Sequence, residues 1–330
     1  MLSRRGFLRQ SFAFSAVAGL GSLPSFARKP DTSAAQLLMI GDWGYEDFTA
    51  QSRVAGAMQQ YVRGHGLTTD ALLMLGDNWY GPLPDGVAST RWKTQFEDMY
   101  PKSVFNCPAY AIAGNHDYQR MPESKVAAEL EYSRKGGGTR WTMPSLWYRF
   151  DFPVRKPLMT VIALDSNVPH PEGQQAKGVN FTLTAAQQAE QLAWLEAELS
   201  KPRTTPFLVV MAHHPIFSNG PHGDHRTLIA DWDPLLRKHG VHLYLAGHDH
   251  DMQHLEFEGH PTSFVLSGGG GADLYALKID EAQRGPYASR IYGFSHLEVT
   301  REKLTLRHLD EMGRQIHSFE KTADGRVRIA

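Results

Sequence analysis

Cysteine and net charge are both scarce in this chain of 330 residues. Cys107 is the single cysteine, which excludes an internal disulfide and any metal site built from several thiolates. The 34 basic and 35 acidic residues nearly cancel to a formal charge of −1, so we predict no nucleic-acid partner. Hydrophobic residues make up 42% and charged residues 21% of the chain. This composition excludes a disordered or collagen-like protein and is typical of a globular one.

A long apolar run is also lacking, and the first 27 residues instead have the features of an export signal. A basic start that includes Arg4 and Arg5 is followed by a mostly apolar stretch at 12–23 and a small-x-small site at 25–27. The stretch is shorter than the roughly 20 residues of a membrane span, so we predict no stable membrane anchor. The arginine pair resembles the bacterial twin-arginine signal. We therefore predict a signal peptide over 1–27, contact with the twin-arginine export machinery, and a periplasmic or secreted mature protein.

Short apolar runs alternate with helical patterns along the rest of the chain. The runs that predict buried strands are 36–40, 71–75, 109–113, 158–164, 207–212 and 241–246. Apolar spacing predicts a helix over 49–64, and a capping box of Thr184 and Gln187 predicts a second helix that ends near Leu199. Beyond residue 263 the pattern becomes strand-rich, whereas the glycine run 268–271 predicts a close-packed turn. This alternation predicts a layered α/β fold, with ligands outside the carboxyl ends of the strands.

Histidine is abundant, with 16 in the chain, and several histidines follow directly after predicted strands. Five strand ends carry ligand types: Gly-Asp-Trp-Gly at 41–44, Gly-Asp-Asn-Trp-Tyr at 76–80, Gly-Asn-His-Asp at 114–117, Ala-His-His-Pro at 212–215 and Gly-His-Asp-His at 247–250. Carboxylate and imidazole ligands without thiolates suit iron, zinc or manganese. The candidate ligands are too many for one tetrahedral ion and suit two ions that share a carboxylate.

In this order the five motifs resemble the metallophosphoesterase superfamily and, within it, the purple acid phosphatases of the compact tartrate-resistant type. The family pattern of Asp-x-Gly, Gly-Asp-x-x-Tyr, Gly-Asn-His, a lone His and Gly-His-x-His is matched at every place. The similarity extends from about Gln36 to the region of His308. It implies a four-layer α-β-β-α sandwich with mixed central sheets, and a single catalytic domain over 28–330.

The resemblance also implies how the ligands are divided between two metal ions. The first site, which holds Fe³⁺ in the family, would be formed by Asp42, Asp77, Tyr80 and His250. The second site, which holds Fe²⁺, Zn²⁺ or Mn²⁺ in different members, would be formed by Asp77, Asn115, His213 and His248. Asp77 would therefore bridge the two ions, and Tyr80 distinguishes the purple enzymes from the wider superfamily. The net positive charge of such a centre would attract a phosphate.

Two further histidines are implied at the site without being metal ligands. In the family, the residue at His116 lies over the metals, where it can bind the ester and protonate the leaving group. The neighbouring Asp117 is expected to orient it. His222 corresponds to another active-site histidine, with His225 in the same loop as a competitor. We expect His214 to form part of the wall.

We therefore predict an acid phosphatase that hydrolyses small phosphate monoesters by attack of a hydroxide bound to a dinuclear metal centre. A phosphodiesterase or a nucleotide-directed enzyme remains open, because the superfamily shares these motifs. An iron protein with peroxide chemistry is a further alternative from a different class. An unliganded His116 over the metals favours hydrolysis, since metal storage alone does not need it.

Overall fold

The computed structural model describes residues 30–31, 34–119, 124–135, 139–168 and 183–330. The predicted signal peptide, residues 1–27, lies outside the described residues. In the part that is described, no helix is both long and apolar enough to cross a bilayer.

Fifteen strands and six α-helices make up the described part of the chain. The strands are β1 Ala35–Ile40, β2 Ala71–Met74, β3 Ala109–Ala111, β4 Trp141–Thr142, β5 Tyr148–Phe152, β6 Met159–Ala163, β7 Phe207–Met211, β8 Leu243–Ala246, β9 Met252–Leu255, β10 Ser263–Ser267, β11 Pro286–Ser289, β12 Gly293–Val299, β13 Lys303–Asp310, β14 Gln315–Thr322 and β15 Val327–Ile329. The helices are α1 Thr49–His65, α2 Asn115–Tyr118, α3 Lys125–Arg134, α4 Ala185–Leu199, α5 Arg226–Asp231 and α6 Asp233–His239. A 3₁₀ turn at Gly86–Ala88 and a π-helical segment at Trp92–Glu97 lie between β2 and β3.

The strands form two mixed sheets. The first has eight strands in the order β15-β14-β13-β12-β1-β2-β3-β4, and the second has seven in the order β11-β9-β10-β8-β7-β6-β5. Within the first sheet β1, β2, β3 and β4 are parallel. Within the second sheet β6, β7, β8 and β10 are parallel. In the second sheet antiparallel strands flank the parallel ones on both sides, whereas in the first sheet the parallel strands form one end, with β4 as the edge strand. Both sheets combine parallel and antiparallel pairs, so the predicted mixed sheets are confirmed.

Alternate residues of the strands define four layers. On β1, Leu37 and Met39 face a core shared with Val209 of the second sheet, so the two sheets pack face to face. The opposite side of the first sheet packs against helix α1 and a cluster of aromatic residues. The opposite side of the second sheet packs against α4 and α6 through Leu195 and Leu236. Strands buried on both sides explain the continuous apolar runs in the sequence, and the predicted four-layer sandwich is confirmed.

Local signals in the sequence set the ends of the predicted helices. Helix α4 begins after Thr184, whose Oγ1 accepts a hydrogen bond from the Gln187 backbone N–H, as the capping box predicts. Helix α1 ends at Gly66, which has a φ of 62°. The glycine run at 268–271 is closely packed, because a Cβ at Gly270 would lie 2.2 Å from the Gly41 carbonyl oxygen. The predicted turn is therefore confirmed.

Three histidines are buried between the sheets, away from the five motifs. His254 Nδ1 on β9 lies 3.0 Å from His317 Nε2 on β14. His308 Nδ1 on β13 lies 2.8 Å from Ser295 Oγ. Burial and the nearby His254 lower the pKa of His308 to about 3, and burial likewise lowers the pKa of His317. These two imidazoles are therefore neutral in the native protein.

We expect the NMR signals of the His308 and His317 imidazoles not to titrate between about pH 8 and about pH 5. In the unfolded chain each would bind a proton with its ordinary pKa of about 6.5. Since the native state does not bind these protons, each histidine lowers the free energy of unfolding as the pH falls below about 6.5, by up to about 1.4 kcal/mol per pH unit. A His308→Gln variant should therefore lose less stability in acid than the wild type. Titration of either signal near pH 6 would contradict this assignment.

Candidate metal centre

The predicted ligands come together where parallel strands of both sheets end. The first sheet contributes Asp42 after β1, Asp77 and Tyr80 after β2, and Asn115 after β3. The second sheet contributes His213 after β7 and both His248 and His250 after β8. The carboxyl ends of parallel strands lie at one edge of a sheet, where α/β folds bind their ligands.

Three of these ligands have a backbone conformation that is rare for residues other than glycine. Asp42, Asp77 and His248 have φ values of 59°, 50° and 71°. Each such residue costs about 1–3 kcal/mol and is retained where the surroundings fix it, often at functional sites. The His248 backbone N–H donates to Asp42 Oδ2 at 2.9 Å, which ties the loop of one sheet to the loop of the other. The strain is thus concentrated at the ends of the motif strands.

The first group of donor atoms surrounds the Tyr80 hydroxyl. Tyr80 Oη lies 2.9 Å from Asp77 Oδ2, 3.2 Å from Asp42 Oδ1 and 3.0 Å from His250 Nε2. His250 Nε2 is also 3.6 Å from Asp42 Oδ1. These are the four residues that the family resemblance assigns to the first metal.

The second group of donor atoms surrounds His213 Nε2. This nitrogen lies 3.4 Å from Asp77 Oδ1 and 3.2 Å from Asn115 Oδ1. His248 Nδ1 is 2.9 Å from Asn115 Oδ1 and 3.2 Å from His213 Nε2. The two oxygens of Asp77 therefore face different groups, Oδ2 the first and Oδ1 the second.

Hydrogen bonds to main-chain carbonyls set the tautomers of two of the histidines. His213 Nδ1 lies 2.9 Å from the Leu75 carbonyl oxygen, and His250 Nδ1 lies 2.5 Å from the Asp273 carbonyl oxygen. Since a carbonyl only accepts, each Nδ1 carries a proton and each Nε2 faces the carboxylates. Outer hydrogen bonds of this kind orient histidines that bind metals.

Burial makes the charges of this centre costly without a cation. Asp42, Asp77 and His213 are at most 1% exposed, and their ligand atoms lie within 4.8 Å of one another. Burial together with Asp77 raises the pKa of Asp42 well above its usual value. Although burial opposes it, the charges of Asp77 and Asp42 raise the pKa of His213 to about 10. Burial and both carboxylates raise the pKa of Tyr80 well above 10, so a highly charged cation would be needed to favour its phenolate.

These residues fit a pair of metal ions. Two buried carboxylates, a phenol, an amide oxygen and three imidazoles form two adjacent sets of oxygen and nitrogen donors that share Asp77. Such donors suit iron, zinc or manganese. No lysine or arginine of the described residues forms an ion pair with Asp42 or Asp77.

Glycine next to the ligands permits the close approach of the strand ends. A Cβ at Gly114 would lie 2.2 Å from Asp77 Oδ1 and 2.3 Å from the Asp77 backbone nitrogen. We expect Gly114→Ala to displace Asp77 and to lower the metal content of the purified protein. As a matched control, Gly56 lies within α1 with no atom within 4 Å of its added Cβ. Gly56→Ala should retain the metals and raise the free energy of unfolding by up to about 1 kcal/mol. Equal metal content in both variants would contradict the packing argument.

His116 lies over the first group of donors. Its ring centroid is 4.1 Å from that of Tyr80, and its backbone N–H donates to Asp77 Oδ1 at 2.8 Å. The expectation that Asp117 orients this ring is wrong. Asp117 is fully buried and accepts hydrogen bonds from the backbone N–H groups of Asn78, Trp79 and Gly114. The partner of His116 Nδ1 is instead Gln119 Oε1, at 3.0 Å.

His222 lies beside the second group, whereas His225 has a different role. The centroid of the exposed His222 ring is 4.3 Å from that of His248. His225 caps helix α5, with its Nδ1 3.3 Å from the Leu228 backbone nitrogen. His214 contacts His248 at 4.2 Å between ring centroids and forms a wall of the centre, as expected. Of the two competing histidines, His222 is therefore the one whose ring contacts His248.

Three residues next to the centre were not predicted from the sequence. Gln119 contacts His116, and the buried Asp249 accepts a hydrogen bond from His222 Nδ1 at 2.5 Å. The Tyr275 ring stacks on that of His250, with centroids 4.1 Å apart. Asp249 could have been found, because it lies inside the Gly-His-Asp-His motif. Tyr275 carried no signal in the sequence.

The chain is similar in sequence to known phosphoesterases over most of its length. The model of the calcineurin-like phosphoesterase family matches residues 35–252. The chain is 29% identical over 308 residues to mouse tartrate-resistant acid phosphatase type 5, which covers 86% of this chain and 89% of the mouse protein. It is 28% identical over 327 residues to purple acid phosphatase 7 of Arabidopsis thaliana, with 94% and 93% of the two chains covered.

Solved structures share the fold. The Plasmodium protein GAP50, an anchor in the inner membrane complex, superposes with a TM-score of 0.72 at 22% identity, over 86% of this chain and 87% of that chain. A purple acid phosphatase from yellow lupin seeds superposes with a TM-score of 0.67 at 16% identity, over 88% of this chain and 54% of that chain. At these identities the similarity shows the fold alone.

Proposed function

Because this chain belongs to the calcineurin-like phosphoesterase family, we propose that it is a metal-dependent acid phosphatase that hydrolyses small phosphate monoesters. The observation that carries the proposal is the position of the Asp77 carboxylate between the two donor groups. Its Oδ2 faces the first group and its Oδ1 faces the second. The similarity of the chain to the mouse and Arabidopsis acid phosphatases supports phosphate monoesters as the substrate class.

The proposed metal sites follow the two donor groups. Fe³⁺ would be held by Asp42, Asp77, Tyr80 and His250, and Fe²⁺, Zn²⁺ or Mn²⁺ by Asp77, Asn115, His213 and His248. When bound, the two ions supply Lewis acidity toward the phosphoryl oxygens and lower the pKa of the water nucleophile. The chain's part is to hold the donors in place through the strained strand ends and the two carbonyl-bound histidines.

Two histidines outside the ligand sets are proposed to act on the ester. The side chain of His116 is 28% exposed, and we assign it to the leaving-group oxygen, to which it can give a proton. His222 is held by Asp249 and is assigned to binding of the phosphoryl group. Both roles are assigned to side chains that remain accessible, whereas five of the seven proposed ligands are buried: Asp42, Asp77, Tyr80, His213 and His250.

The test is a panel of phosphate monoesters and diesters, assayed by phosphate or alcohol release together with metal analysis of the same sample. We expect hydrolysis of monoesters, lost after chelation and recovered when metal is returned. A strong preference for diesters would favour a phosphodiesterase instead. Peroxide turnover without ester hydrolysis would overturn the proposal in favour of iron redox chemistry.

We also propose that residues 1–27 direct export through the twin-arginine pathway. The proposal depends on the Arg4–Arg5 pair, the short apolar stretch and the site at 25–27. Replacement of both arginines by lysine is expected to stop export, which cell fractionation would detect. N-terminal sequencing of the exported protein should start near Arg28. The full-length chain in the cytoplasm of healthy cells expressing the unaltered protein would contradict the proposal.

A further inference from the structure

The ring of His116 is held from one side by an uncharged side chain. Its Nδ1 lies 3.0 Å from Gln119 Oε1. Gln119 follows the one-turn helix α2, and its own backbone N–H donates to the His116 carbonyl oxygen at 3.2 Å. A spacing of three residues places both side chains on one face of the turn. The contact is therefore built into the same segment that carries Asn115.

The second nitrogen of the ring points the other way. An amide oxygen only accepts, so the proton on the Gln119 side belongs to Nδ1. Nε2 lies 4.0 Å from Asp77 Oδ2, and the ring lies over that of Tyr80, tilted by 35° with centroids 4.1 Å apart. With the backbone N–H bonded to Asp77 Oδ1, both the main chain and the ring of His116 are fixed relative to the shared carboxylate.

Among the described residues, no carboxylate takes the place of Gln119. Asp117 is adjacent in sequence but is occupied by three backbone N–H groups and by the amide of Asn78. Asp77 meets the other side of His116. Gln119 is thus the side chain that contacts Nδ1 of His116, while Nε2 faces Asp77.

We propose that Gln119 is a positioning residue that holds His116 with Nε2 directed at the leaving-group oxygen of the ester. This inference rests on the proposed function and assigns a role that the ligand motifs do not contain. It also predicts which esters depend on the residue. Alkyl phosphates release a strongly basic alkoxide and need the proton, whereas dinitrophenyl phosphate releases a weakly basic phenolate that does not.

The proposed step balances as follows. A water oxygen forms a bond to phosphorus while the bond between phosphorus and the ester oxygen breaks, and its electron pair stays on the ester oxygen. The Nε2 proton of the imidazolium moves to that oxygen, so the products are an alcohol and phosphate. The neutral imidazole that remains keeps its proton on Nδ1, where it is donated to Gln119 Oε1 in a hydrogen bond. A proton released by the attacking water then restores the imidazolium.

The test compares two esters in three variants. In Gln119→Leu, which has no acceptor, we expect kcat/KM for glycerol phosphate to fall about ten-fold, the worth of one hydrogen bond. For 2,4-dinitrophenyl phosphate we expect a loss below about two-fold, because a leaving group that needs no proton gains little from the acid. Gln119→Glu keeps an acceptor and should retain activity on glycerol phosphate. Gln59→Leu is a change of the same type on helix α1, where the Gln59 amide donates to the Met99 carbonyl oxygen. This control should leave kcat/KM for both esters unchanged.

A second readout does not depend on activity. In protein labelled with ¹⁵N-histidine, the His116 signals, assigned by their loss in His116→Ala, should show the proton on Nδ1 in the wild type and a mixture of tautomers in Gln119→Leu. A wild-type Nε2–H tautomer, or equal losses on both esters, would overturn the role of Gln119. A wild type that hydrolyses neither ester would instead overturn the proposed function.

Discussion

Replacement of Asp77 by asparagine is expected to lower the metal content of both sites and to reduce phosphate release by about a thousand-fold or more. One oxygen of Asp77 lies 2.9 Å from Tyr80 Oη and the other lies 3.4 Å from His213 Nε2. Asparagine offers a single oxygen and no charge, and its NH₂ group cannot bind a cation. Metal analysis of purified protein, together with turnover of a phosphate monoester, measures both effects.

Three further variants make the result specific to the bridging position. His250→Ala should chiefly deplete the first site, and His213→Ala the second. Asp70→Asn makes the same chemical change at the residue directly before strand β2, at the end of the strand away from the donor groups. There Asp70 Oδ2 accepts a hydrogen bond from the Gln36 backbone N–H. This control should keep its full metal content. An Asp77→Asn protein that binds as much metal as the Asp70→Asn protein would remove the bridging assignment.

Tyr80→Phe is expected to abolish the visible absorption band of the oxidised protein. Burial and two carboxylates raise the pKa of this phenol, so in a metal-free centre it stays protonated. Fe³⁺ carries enough charge to favour the phenolate, and a phenolate bound to Fe³⁺ absorbs visible light, whereas the other proposed ligands do not. The substitution keeps the ring and its contact with His116. Absorption spectra of the two oxidised proteins at equal iron content provide the measurement.

A neighbouring tyrosine provides the matched control. The ring centroid of Tyr45 is 5.3 Å from that of Tyr80, but its hydroxyl faces Asp273 at 3.4 Å and not the donor atoms. Tyr45→Phe should therefore keep the visible band. A colourless, fully active wild type with only divalent ions would show that Tyr80 is not a ligand of Fe³⁺. Activity should fall less in Tyr80→Phe than in His116→Ala, because His116 is proposed to meet the ester itself.

The positions of the proposed metal ligands could be predicted because each of them follows closely after a strand in the sequence. Each apolar strand is short and continuous, and the residues after it must lie at the edge of the sheet. The alternation of strands and helices therefore predicted the layered α/β class, and the family resemblance that the motifs carry implied the four layers and the two ligand sets. Strand β9 was not predicted, because Gln253 and His254 interrupt its apolar pattern. Their polarity is tolerated in a buried strand since Gln253 bonds to Asp251 and His254 to Glu256.

Side-chain partners beyond the ligands could not be read from the sequence in the same way. Asp117 is the carboxylate next to His116 in sequence, yet in the tight turn it accepts hydrogen bonds from backbone N–H groups. The His116 imidazole contacts Gln119 instead. Asp249 reaches His222 across two loops that are 27 residues apart. Such contacts depend on where loops cross, which local periodicity does not specify.

The most direct measurement is a titration of metal into purified, metal-free protein, with bound metal and hydrolysis of a phosphate monoester followed in the same samples. Two donor groups that share Asp77 require two ions per chain. Hydrolysis should therefore appear only as the second ion binds. Full activity of the metal-free protein, or two bound ions with no hydrolysis of any phosphate ester, would contradict the assignment of this centre as a phosphatase site.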